Sequence, residues 1–163
     1  MSWSAVDWAG ALLWGFFATV VLTLVMAAAQ GLGLSRMSMP FLVGSIFTPD
    51  RDRANVVGAA LHFVNGWVVS LAYAVVLTAS GRSSWWLGGL LGLLQGLFVI
   101  VALLPLLPSV HPRMATEDHG PTPTLQLEPP GFLGLNYGRG TPLVTLVAHA
   151  AYGALFGALY RAC

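Results

Sequence analysis

Charged side chains are so widely spaced in this chain that the gaps between them decide what it can fold into. Uncharged runs separate Asp7 from Arg36, Arg53 from Arg82, Arg82 from Arg113, and Arg139 from Arg161. Each is longer than the ~20 apolar residues a helix needs to cross a bilayer. The runs predict an all-α membrane protein with four transmembrane helices in a bundle, their cores near 9–32, 55–79, 84–107 and 142–160. They are joined by 33–54, by a short turn at "SGRSS" (80–84) and by a long loop, 108–141. A membrane β-barrel would need ~10-residue segments of alternating hydrophobicity, whereas "LLGLLQGLFVIVALL" is continuous.

With 56% hydrophobic and 8% charged residues, against about 25% charged in soluble domains, the chain is unsuited to water. A net charge of +1 with no basic stripe argues against a nucleic-acid partner and leaves the lipid bilayer as the main one expected. The lone Cys163 leaves no partner for an internal disulfide, and at the last position it is not expected to be the cysteine of a prenylation box. Ala27–Ala29 resembles a signal-peptide cleavage site, but no Lys or Arg precedes the first run, so that run is expected to stay as a helix.

Arg36, Arg51, Arg53, Arg113 and Arg139 flank the long connections, against Arg82 and Arg161 on the side of the termini. This five-to-two ratio predicts cytoplasmic long loops and external termini. Trp3, Trp8, Trp14, Trp85 and Trp86 gather at the terminal side, as interfacial anchors do.

"AHAAYGALFGALY" (148–160) echoes "LHFVNGWVVSLAY" (61–73): His, Gly four residues on, a small residue at eight and Tyr at eleven. Gly15 precedes Arg36-Met37 by the same interval as Gly92 precedes Arg113-Met114, and Thr48-Pro49 and Thr141-Pro142 precede helices two and four. The order of the matches predicts two duplicated helix hairpins with a pseudo-twofold axis along the membrane normal, which makes helices two and four equivalent. Thr48 and Thr141 are expected to cap those helices, with Asp50 and Asp52 in the first turn of helix two. Pro105 and Pro108 are expected to distort and then stop helix three.

At about 100° per residue, the echoed His, Gly, small residue and Tyr share one helix face. Small residues four apart let a second helix come close, which assigns Gly58, Gly66, Ser70, Gly92, Gly96, Gly153 and Gly157 to helix packing. On this reading His62, Asn65, Tyr73, His149 and Tyr160 satisfy one another, backbone carbonyls or interfacial water, and Gln30 and Gln95 are interhelical amides. The sharper reading takes His62 and His149, at matching depth, as axial ligands of a haem or ligands of a metal, with the glycines making room. A second cluster, "HPRMATEDH" (111–119), offers His111, Met114, Glu117, Asp118 and His119 as metal ligands, although Pro112 breaks any regular geometry. No Ser-His-Asp set, carboxylate pair or nucleophilic cysteine stands out, so no catalytic residue is assigned.

The stretches "GFFATVVLTLVM" (15–26), "GAALHFVNGWVVSLAY" (58–73) and "GFLGLNYGRGTPLVTLVAHAAYGALFGALY" (131–160) resemble a family of small bacterial membrane proteins of unknown function with four predicted helices. The resemblance implies that architecture and a bacterial inner membrane, and brings no activity with it. The segment 111–130 departs most from the pattern. The expected function is a structural, interaction or assembly role, as a homo-oligomer or beside another membrane protein, with no cofactor. The alternatives are a haem or metal protein using His62 and His149, and a small permease or channel subunit that acts as an oligomer.

Overall fold

The computed structural model describes residues 5–116 and 120–161; Trp3, Glu117, Asp118, His119 and Cys163 lie outside them. The described chain is helical, with five helices: α1 (Trp8–Gly31), the short α2 (Met39–Gly44), α3 (Arg51–Ser80), α4 (Trp85–Val110) and α5 (Thr141–Leu159). All but α2 are long and apolar enough to cross a membrane. The four long helices run through two compact units, one built from 5–25, 63–96 and 146–161, the other from 26–62 and 97–145.

The first unit is a four-helix bundle turned inside out relative to a water-soluble one. Its outer surface carries Leu12, Leu13, Phe16 and Leu24 on α1, Val64, Val68 and Val76 on α3, and Leu90, Leu93 and Leu94 on α4. Its interior holds Ala11, Ala18, Thr19, Ser70, Tyr73, Tyr152, Phe156 and Tyr160. Leu22 and Leu77 are buried beside them, but an outer surface this rich in aliphatic side chains over an interior rich in small, hydroxylated and aromatic ones is the distribution expected when hydrocarbon is the solvent, because packing and hydrogen bonds rather than hydrophobicity hold such helices together. At the end of this bundle the Ser83 hydroxyl, in the turn between α3 and α4, donates to the Gly157 carbonyl at 2.9 Å and also to that of Tyr160.

The second unit is assembled from helix ends and the two long connections. Helix α1 closes in a Schellman motif: Gly33 adopts φ +72° and donates to the Gln30 carbonyl, and Leu34 donates to that of Ala29. Gln30 is not an interhelical amide; lying in the last turn of α1, it donates to the Met37 carbonyl at 2.6 Å. Helix α2 lies against the start of α3, where a methyl group added at Gly44 would meet the Ala54 carbonyl and one at Gly58 the Pro40 carbonyl. Helix α3 begins at Arg51, a turn before its apolar core, because the cap is Asp50: its carboxylate accepts the Arg53 N–H at 2.8 Å. Thr48 serves only the Asp50 N–H, at 3.3 Å, and the Thr141 hydroxyl pairs with that of Ser35 at 2.8 Å instead of capping α5.

Helix α4 does not stop at its prolines. Pro105 has no N–H for the Val101 carbonyl, and its ring would press on it. The helix widens to a π turn over Val99–Leu103, closed by the Leu104 N–H on the Val99 carbonyl, and runs on to Val110. Beyond it, Met114 and Leu127 form an isolated parallel bridge, and two tight turns over Phe132–Tyr137 bring Gly134 against Leu104 and Thr141.

Candidate functional site

Helix contacts in the first unit take up most of the small residues the sequence singles out. A methyl group built on Gly88 would fall on the Gly153 carbonyl oxygen and 2.9 Å from Gly157 Cα; one on Gly92 would fall on the His149 carbonyl and 3.0 Å from Ala150 Cα. Helices α4 and α5 therefore touch backbone to backbone. On the other hairpin Gly15 faces Ser70, and Gly66 faces the Thr19 side chain with 3.0 Å to its methyl. The space beside Gly66, Gly92 and Gly153 is filled by these neighbours, and Gly96 lies 3.2 Å, by the same measure, from His149 Cβ.

A seam of polar side chains runs through the same interior. Tyr73 donates its hydroxyl to Gln95 Oε1 at 2.7 Å, linking α3 to α4. Tyr152 donates to the Gly66 carbonyl at 2.7 Å, linking α5 to α3. The Tyr160 hydroxyl lies 3.0 Å from Thr78 Oγ1 and accepts the Asp7 N–H at 3.2 Å. Between these tyrosines Phe156 stacks on Tyr160 at 5.1 Å, and Tyr73 meets the rings of Tyr152 and Phe156 edge-on at 5.7 and 6.0 Å. A buried hydroxyl without a partner is costly in so dry a place, and each of these three has one.

His149 is buried on α5 in this unit, and His62 is half-buried on α3 in the other. Asn65 departs from expectation: it faces outward, and its side-chain amide makes no hydrogen bond among the described residues. Three residues from His62, it lies off the face shared by His62, Gly66, Ser70 and Tyr73. Sequence reasoning did not select Tyr152, Thr19 or Phe156. Tyr152 occupies in the α5 echo the position that Asn65 holds in α3, a signal visible only once the two stretches are aligned.

The second unit contains a polar clamp. Arg113 N–H donates to His111 Nδ1 at 3.1 Å, so that nitrogen carries a lone pair and the ring proton belongs on Nε2. Nε2 then donates to the Leu42 carbonyl at 3.0 Å, with Ser45 Oγ at 3.2 Å. The Arg113 guanidinium donates to the Ser45 and Ile46 carbonyls. Together the two side chains hold the carbonyls at the C-terminal end of α2. Burial lowers the His111 pKa below the ordinary histidine value, with Arg113's charge acting the same way, against the Leu42 hydrogen bond. Both ring nitrogens of His111 are engaged, and among the described residues no three of His, Cys, Asp and Glu gather as metal ligands. Beside the clamp, Phe41, Ser45, Arg113, Thr124, Gln126 and Leu127 line an open cleft of about 540 Å³.

The two long connections also tie to each other. Arg36 N–H donates to the Tyr137 carbonyl, its guanidinium reaches the Asn136 carbonyl at 2.6 Å and Glu128 at 3.2 Å, and the Tyr137 hydroxyl donates to the Glu128 carbonyl at 2.6 Å. Burial, with Glu128's charge beside it, raises the Tyr137 pKa well above the tyrosine range, so its hydroxyl stays protonated. No family model, curated protein or solved structure matches the chain, so the resemblance drawn from residues 15–26, 58–73 and 131–160 rests on those residues alone.

Proposed function

We propose that this chain is a multi-pass protein of a bacterial inner membrane, with cytoplasmic long loops, that acts by assembly rather than by catalysis. The observation that carries the reading is where its polar and small residues go. The hydroxyls of Tyr73, Tyr152 and Tyr160 bond to Gln95, Gly66 and Thr78, and the glycines of α4 and α5 are closed by each other's backbone. Groups committed in this way build a stiff bundle, and the surface that remains to act is the outer one. Orientation is supported by the arginine count, in which Arg36, Arg51, Arg53 and Arg139 are exposed on the long-loop side.

Descent from a duplicated hairpin is supported by the pairing of contacts. Gly15 with Ser70 and Thr19 with Gly66 correspond to Gly88 with Gly157 and Gly92 with Gly153. In this register Gly88 is the counterpart of Gly15, one helical turn from the match to Gly92 that the Arg-Met spacing gives.

Replacing Gly66 and Gly153 together by Leu tests the reading. The detergent-solubilised protein should lose its thermal transition and run as aggregate; an unchanged melting temperature would refute it. An absorption spectrum and elemental analysis of protein from cells fed haem precursor separate the rival: a haem band, or stoichiometric metal that disappears on changing His149, would replace assembly by cofactor chemistry.

A further inference from the structure

We infer that the outer face of α3 is the contact between two copies of this chain, joined across a twofold axis by paired Asn65 amides. The inference rests on the assembly reading above and names its partner. Asn65 is the fifteenth of the thirty residues of α3, so it lies at mid-span, and its amide is exposed with no hydrogen bond among the described residues. Hydrocarbon offers such a group neither donor nor acceptor, so a bare amide at that depth is held at a loss until another polar group reaches it.

Two arguments commit the face to a second copy. An amide carries both an acceptor and donors, so it complements itself, and every copy inserted with the same topology brings Asn65 to the same depth. The echo in α5 shows what such a face looks like when it is covered. Val64, Asn65 and Val68 are exposed on α3, whereas the matching Ala151 and Leu155 are half-buried and Tyr152 is 2% exposed, its hydroxyl satisfied by Gly66. On α5 this face meets the rest of the bundle; on α3 it continues outward through the exposed Val64, Val68, Ala72 and Val76. Valine and alanine side chains lose little rotamer freedom on contact, which suits close parallel packing around the amide pair.

The test uses the full-length chain in lipid vesicles, with Cys163 changed to Ser. Asn65→Cys should form a disulfide-linked dimer on mild oxidation, whereas Leu94→Cys on the outer face of α4 should not. In fluorescence energy-transfer titrations over lipid dilution, the otherwise unaltered chain should dimerise and Asn65→Leu should weaken dimerisation on the order of tenfold. The melting temperature of the solubilised monomer should be unchanged by Asn65→Leu, which separates this inference from the bundle reading tested at Gly66 and Gly153. A chain that stays monomeric at every dilution, a variant that dimerises as well as the parent, or equal cross-linking at Leu94 would each overturn the inference and leave the face to a different protein.

Discussion

Gly88 and Gly89 are neighbours on one helix, and the structure predicts different outcomes for the same substitution at the two. A methyl group at Gly88 would fall on the Gly153 carbonyl, 2.9 Å from its carbon and 2.9 Å from Gly157 Cα, all of it backbone that cannot rotate away. One at Gly89 would lie 3.6 Å from Ala154 Cβ, an ordinary contact. Gly→Ala inside a helix gains up to about 1 kcal/mol from backbone entropy at either position. At Gly88 that gain is opposed by overpacking of about 1–3 kcal/mol, since α4 and α5 must separate along their whole glycine contact. The two variants should therefore differ by about 2 kcal/mol, with Gly88→Ala below the parent and Gly89→Ala level with it or above. For a chain of this size that is a gap of roughly 4–8 °C in melting temperature. Thermal scans in one detergent, followed by loss of the helical circular-dichroism signal, measure it. If both variants shift in the same direction by similar amounts, the backbone contact between α4 and α5 is wrong.

The remaining predictions probe the polar seam and the clamp. A double-mutant cycle on Tyr73→Phe and Gln95→Leu should return a coupling of about 0.6 kcal/mol, and no more than about 1.7, the range found for hydrogen bonds between membrane helices; additivity would remove the bond. Arg113→Lys should cost about 1–2 kcal/mol, because one ammonium cannot reproduce the guanidinium's hold on the Ser45 and Ile46 carbonyls, while Arg53→Lys at an exposed site should cost under about 0.5. His111 is neutral in the fold with a lowered pKa, so its contribution to stability is complete above the unfolded value of about 6.5 and is lost as pH falls from there toward the lowered folded value. Melting temperatures at about pH 7.5 and 5 should therefore fall further for the parent than for His111→Gln; equal losses would show that His111 is not the group responsible.

What was legible in the sequence is what lipid dictates to each helix separately. Bilayer thickness sets a minimum length, so the four spans could be read from the charge gaps alone. The face shared by Gly66, Ser70 and Tyr73, and by Gly153, Gly157 and Tyr160, could be read because period is a property of one helix. Residues whose meaning depends on a neighbour were harder. Thr19 is hidden in an apolar run and matters only because Gly66 stands opposite it. Arg113 counted as one positive charge among five, yet it is half-buried on the carbonyls of Ser45 and Ile46. Asp50, in the sequence a first-turn acid serving the dipole, is the cap itself because its carboxylate meets the Arg53 N–H.

Asn65 and Tyr152 carry this distinction furthest. They hold the same place in two stretches that share their His, Gly, small residue and Tyr, and any argument from periodicity must treat them alike. One is buried and hydrogen-bonded and the other is exposed, because the Tyr152 face of α5 meets the bundle and the Asn65 face of α3 points away from it. Periodicity fixes the direction in which a side chain points; the number of helices waiting there is a property of the assembly. An amide pointing outward at mid-span is therefore evidence about what lies beyond one copy of the chain, in a way that an outward valine is not. The valine is as comfortable in lipid as against a helix, whereas the amide discriminates between the two by its missing hydrogen bonds.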